Sequence, residues 1–140
     1  MLNTIPMGGP EHAQRGRPHI FVVNGAPEFL NLMRELLQDE AYNVTTTNFV
    51  PATFAQIDTA QPDVLVLDLV VGQRAGWDLL ERLHGEAATA GIPVIVVSTD
   101  TAHLTIAETL AARYGTVGLL RKPFDLDDML ALVATALARA

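Results

Sequence analysis

The run Pro62-Asp63-Val64-Leu65-Val66-Leu67-Asp68-Leu69-Val70-Val71 decides the fold. Apolar side chains occupy both of its alternating faces. Such a strand needs cover above and below, the condition at the centre of a parallel sheet. Asp68 interrupts the run with an ionisable group. Burying an unpaired carboxylate is costly, so Asp68 is expected at the strand's carboxyl end, where an open sheet has its crevice. A simpler role, capping the loop that follows, fits the spacing equally well at this point.

Working outward, residues 1–17 contain Gly8-Gly9-Pro10 and few apolar side chains, and read as a flexible leader to a domain over residues 18–140. His19 to Val23 is β-branched and aromatic, hence a strand; Asn24-Gly25-Ala26 ends it, and Pro27 suits the first position of a helix. Phe29, Leu30, Met33, Leu36 and Leu37 then recur at helical spacing to about Glu40. Tyr42 to Thr47 reads as a second strand, and Pro51 opens a short helix with Phe54 and Ile57 inward. Beyond the central strand, Gly72 to Gly76 is a loop and Trp77 to about Ala88 a helix. Val94 to Val97 is another two-faced strand, and Ser98-Thr99-Asp100-Thr101 supplies side chains that favour a helix start. That helix is expected to run to about Tyr114 and stop at Gly115. Thr116 to Arg121 forms the last strand, and a stripe from Leu126 to Leu137 the last helix, with Asp125, Asp127 and Asp128 favouring its positive end. Five strands alternating with five helices predict an α/β fold: a doubly wound parallel sheet with helices on both faces.

Composition excludes several function classes. The 140 residues suit one domain, and 49% are hydrophobic, which places the chain among globular proteins. No apolar run is long enough to span a bilayer, and no apolar block follows a basic patch at the N-terminus, so no membrane partner is expected and the cytoplasm is. The absence of cysteine excludes disulfide and thiol chemistry. With a net charge of −7 and scattered basic residues, nucleic-acid binding is not expected either. His12, His19, His84 and His103 show no metal-like spacing and read as surface or strand-edge residues.

The residues after each strand are the candidates for chemistry: Asn24 and Gly25 after the first, Asp68 at the third, Ser98 at the fourth, Lys122 at the fifth. A carboxylate can attack phosphorus, while a hydroxyl and an ammonium can hold the oxygens of a transferred group. In this order and spacing, with Gly76 eight residues beyond Asp68 and Lys122-Pro123-Phe124 near the end, the chain resembles the receiver domains of two-component response regulators over about residues 19–138. The resemblance implies a flavodoxin-like (βα)5 sheet in the order 2-1-3-4-5. By position it makes Asp68 the phosphoacceptor, Ser98 the switch hydroxyl, and Lys122 the phosphate and carboxylate partner, with a Lys122–Pro123 bond that is commonly cis. It further implies Mg²⁺ held by Asp68, the Val70 main-chain carbonyl and an acidic pair after the first strand.

That acidic pair is replaced here by Asn24 and Gly25. Mg²⁺ wants octahedral oxygen ligation and gives up water reluctantly, so loss of two carboxylates leaves a weak site at which Asn24 is a poor ligand. Asp68 and Lys122, the chain's single lysine, can instead neutralise each other. The family's usual aromatic on the last strand is Leu119, and the usual Pro and Asp beyond the phosphoacceptor are Gly72 and Ala75. The expectation is an atypical, stand-alone receiver that is weakly phosphorylated or not at all and acts by protein–protein contact. It would accept a phosphoryl group at most and not be an enzyme. Its partners would be a sensor histidine kinase, a phosphotransfer protein or a downstream effector, with homodimerisation on the face made by the fourth helix, last strand and last helix. The alternatives on this fold are a phosphate-independent ligand binder and a phosphohydrolase. Haloacid-dehalogenase-like phosphatases need a second Asp two residues beyond the first, where this chain has Val70, and no Gly-rich phosphate cradle follows the first strand.

Overall fold

The computed structural model describes residues 16–48, 51–69, 74–109 and 116–139. Five strands, β1 (His19–Val23), β2 (Asn43–Thr47), β3 (Val64–Asp68), β4 (Val94–Ser98) and β5 (Thr116–Arg121), form one parallel sheet in the order 2-1-3-4-5. The helices are α1 (Pro27–Asp39), α2 (Thr53–Ala60), α3 (Ala75–Gly85), α4 (Thr101–Thr109) and α5 (Leu126–Arg139). The predicted architecture and strand order are those observed.

Alternation within the strands explains the layers. Val64 and Val66 of β3, with Ile20 and Val22 of β1, pack against Met33 and Leu37 of α1 and Met129 and Val133 of α5. Leu65 and Leu67, with Phe21 and Val23, face Ile57 of α2 and Leu79, Leu80 and Leu83 of α3 on the other side. Period-two geometry thus splits each central strand between two cores. Leu69, Ile20 and Phe21 are at most 1% exposed, so apolar burial on both faces is close to complete.

The third helix begins at Ala75, inside the expected Gly72–Gly76 loop, where the Asp78 amide donates to the Arg74 carbonyl, and two further helix boundaries differ from the sequence reading. The second helix begins at Thr53, two residues after Pro51, where the Thr53 hydroxyl donates to the Asn48 carbonyl. The third ends at Gly85 because the buried Thr89 hydroxyl takes the Leu83 carbonyl at 2.5 Å, turning the chain back toward β4. Residues 1–15 of the leader expected over residues 1–17, and the expected helix end at Tyr114 and Gly115, lie outside the described residues. Among the described residues, no helix is long and apolar enough to cross a membrane.

Gly76, in the first turn of α3, permits the tightest approach near the site. A Cβ there would lie 2.6 Å from Leu69 Cδ2 and 3.3 Å from the Asp68 carbonyl oxygen. A residue with a side chain here would force Leu69 Cδ2 to shift within the packed core before α3 could settle this close to the end of β3.

Candidate functional site

The carboxyl ends of β1, β3, β4 and β5 make one rim. Asp68 is the last residue of β3, paired in register with Val97, and is 6% exposed. By strand alternation its side chain continues the series Val64, Val66, which faces α1 and α5. Lys122 directly follows β5, and its Nζ lies 2.9 Å from Asp68 Oδ1. The Lys122 amide also donates to the Ser98 carbonyl at 2.9 Å, which anchors the lysine's backbone to the end of β4. The Lys122–Pro123 peptide bond is cis.

Ser98 is fully buried and belongs to the opposite alternation, with Val94 and Val96. Its hydroxyl donates to the Leu69 carbonyl at 3.0 Å and accepts from the Asp100 amide at 3.0 Å. It therefore ties the loop after β3 to the start of α4. Asp100 caps that helix, its Oδ1 accepting from the Ala102 amide at 2.9 Å. The predicted carboxylate and ammonium are thus in direct contact, whereas the hydroxyl is engaged with main-chain groups on the same rim.

Asn24 is 1% exposed at the end of β1. Its Oδ1 accepts from the Ala26 amide at 2.7 Å, which fixes the orientation of the side-chain amide. The buried Nδ2 has no hydrogen-bond partner among the described residues. Gly25 is exposed, and a Cβ built on it meets nothing within 4 Å.

These donors do not suit Mg²⁺. The oxygen of Asn24 is committed to a main-chain amide, its other head atom is a donor, and Gly25 has no ligating side chain. One carboxylate remains, and an ammonium already sits on it. Among the described residues, Asp68 is the one side-chain oxygen donor left of the expected set, a weak hold on a hard cation even with the waters it keeps. Val70, whose carbonyl was the third expected ligand, lies outside the described residues. Among the described residues, no group of three or more histidine or acidic side chains is placed to hold a metal ion.

Sequence reasoning placed Phe29 in the apolar stripe of α1 and did not connect it with the site. The structure puts its ring centroid 4.8 Å from Lys122 Nζ and sets the ring edge-on to Phe124, 6.1 Å between centroids. Its position in the first turn of the helix after β1, hence near this rim, was the available signal.

Comparison with known proteins agrees with this geometry. The response regulator receiver domain family matches residues 20–134. Protein Rrf1 of Nitratidesulfovibrio vulgaris is 31% identical over 119 residues, covering 85% of this chain and 82% of that protein. Regulatory protein VirG of Agrobacterium tumefaciens is 28% identical over 131 residues, 92% of this chain but 48% of VirG. The chain spans about half the length, or less, of several curated relatives it matches. In fold, it superposes on the signal receiver domain of a LuxO repressor protein from Vibrio parahaemolyticus with a TM-score of 0.77 at 23% identity, covering 88% of this chain and 92% of that one. Domains of this family act as phosphoacceptors and not as enzymes in their own right. The chain belongs to the response regulator receiver domain family.

Proposed function

We propose that this receiver works in two-component signalling chiefly through protein–protein contact, with a phosphoacceptor position whose chemistry has been weakened. Asp68 stands at the acceptor position, Lys122 is its partner and Ser98 is the switch hydroxyl. The observation that carries the reading is the 2.9 Å Lys122–Asp68 contact beside a rim that offers Asn24 and Gly25 where the family has acids. For phosphoryl transfer, a carboxylate oxygen would attack phosphorus as the bond to the donor's leaving group breaks. The attacking oxygen here is drawn toward an ammonium, and the remaining charge near it is too small to recruit a divalent ion.

The partners that fit are a sensor histidine kinase, a phosphotransfer protein or a downstream effector. A second copy of the chain would use the α4–β5–α5 face, where Ile106 is 47% exposed. Leu119, half-buried on β5 beside the α2–α4 core, has no polar tip to relay a change of state to that face.

Acetyl phosphate or beryllofluoride with Mg²⁺ tests this reading, with intact mass and Trp77 emission as the signals. Trp77 follows Gly76, whose Cβ position is 3.3 Å from the Asp68 carbonyl oxygen, and its side chain packs against the α2–α3 core, so its emission reads the β3–α3 junction behind Asp68. The expected result is no stoichiometric adduct and unchanged emission. A stable phosphoryl adduct on Asp68 refutes the reading.

A further inference from the structure

The Lys122 ammonium has two neighbours on different elements. Asp68 Oδ1 lies 2.9 Å away, and the centroid of the Phe29 ring 4.8 Å away. Phe29 is the third residue of α1, so it stands at the same rim as the ends of β1 and β3. Its ring meets Phe124 at an interplanar angle of 83°, and Phe124 lies two residues beyond Lys122. The ring facing the ammonium is therefore held by a side chain on the lysine's own loop. Both rings also pack against the core beneath α1 and α5, the face toward which Asp68 points.

We propose that Phe29 is a positioning residue of this site: its ring face holds the Lys122 ammonium over Asp68, so that the chain's only lysine supplies the site's positive charge. The need for such a device is physical. A lysine head sits on a flexible four-carbon stem, and this side chain is 22% exposed, so water competes with Asp68 for it. The negative face of an aromatic ring favours the held rotamer by about two- to thirtyfold, depending on how far the ammonium is desolvated. A leucine of similar bulk would pack against the same core without that field.

The chain has one lysine, so its ε-methylene protons form one resonance and amine acylation marks one side chain besides the N-terminus. In the unaltered protein, the ring current of Phe29 should move the ε-methylene resonance upfield. In Phe29→Leu that displacement should vanish, and acylation of Lys122, read by peptide mass, should quicken about threefold or more. Phe29→Tyr keeps the ring face and should retain both properties of the parent. If Phe29 serves packing alone, Phe29→Leu lowers the unfolding temperature but acylates Lys122 at the rate of Phe29→Tyr, and the proposal fails. An unshifted ε-methylene resonance in the unaltered chain also overturns it, without requiring any variant to fold. These outcomes are separate from the acetyl phosphate result, because the placement of the ammonium does not depend on whether Asp68 becomes phosphorylated.

Discussion

The two ends of the sheet treat their polar groups in opposite ways. At the amino end, Asp63 and His19 bracket one another: the His19 amide donates to Asp63 Oδ2 at 2.7 Å and the Asp63 amide to the His19 carbonyl at 2.8 Å. The His19 ring adds a 2.8 Å hydrogen bond with Thr45 Oγ1. These partners lie on adjacent strands and the groups are part-exposed, so the arrangement needs nothing further. At the carboxyl end, a nearly buried carboxylate depends on a lysine from another strand end, and a buried amide nitrogen lacks a partner among the described residues. Side chains at the amino rim join neighbouring strands, as Ser98 does at the carboxyl rim, but there the Asp68–Lys122 pair spans from β3 past β4 to the end of β5.

The contrast breaks most visibly at Lys122. Lys122→Met leaves the Asp68 carboxylate, 8% exposed, without its counter-charge and should cost about 3 kcal/mol in urea unfolding. Asp68→Asn should cost about 1 kcal/mol or less, since the freed ammonium is 22% exposed and can reach water. The reverse ranking would mean that the pair is not held as described. Next in size is Gly76→Ala. Its new methyl group meets Leu69 Cδ2 at 2.6 Å inside a packed core and should cost about 2 kcal/mol, whereas Gly25→Ala, with open space around it, should be nearly neutral. Equal effects at the two glycines would contradict the close seating of α3.

Smaller effects belong to the amino rim. Asp63→Ala removes a carboxylate hydrogen bond to the start of β1 and should cost about 1 kcal/mol by thermal or chemical denaturation. The smallest effect is one of pH. Burial holds the His19 imidazole below its ordinary value of 6.5, and the Asp63 carboxylate partly opposes the shift. A lowered value in the folded state means that the unfolded chain binds the proton more readily. His19 thus contributes stability above pH 6.5, and this is lost as pH falls toward and below its folded value. His19→Gln should flatten that acid-side slope, and an unchanged slope would assign it to other groups.

Much of this was legible in the residue order, for reasons that differ from place to place. The two-faced runs Val64 to Leu67 and Val94 to Val97 suggested central parallel strands, and the layering agrees with that reading. Asp68 and Lys122 announced themselves as an acid in an apolar strand and as a lone lysine after another. What periodicity cannot express is which way a side chain turns once its position is set. Phe29 satisfied the apolar stripe of α1 and also lies over the lysine, and nothing in a helical repeat distinguishes those duties. Asn24 could be recognised as a weak ligand. That its oxygen is taken by the Ala26 amide depends on the local turn of the backbone. Asp63, next to a proline before β3, read as part of a strand entry. Its pairing with His19 depends on strand order, 44 residues apart in the chain.

The carboxyl rim takes its positive charge from Lys122 and carries Asn24 and Gly25 where a divalent cation would find acids. A Mg²⁺ titration, followed by Trp77 emission, compares the parent with the double variant Asn24→Asp, Gly25→Asp; the open space at Gly25 lets the new side chain in without displacement. The expected result is no saturable response from the parent at millimolar Mg²⁺ and a saturable one from the variant. Saturable binding by the parent, or none by the variant, would contradict the account.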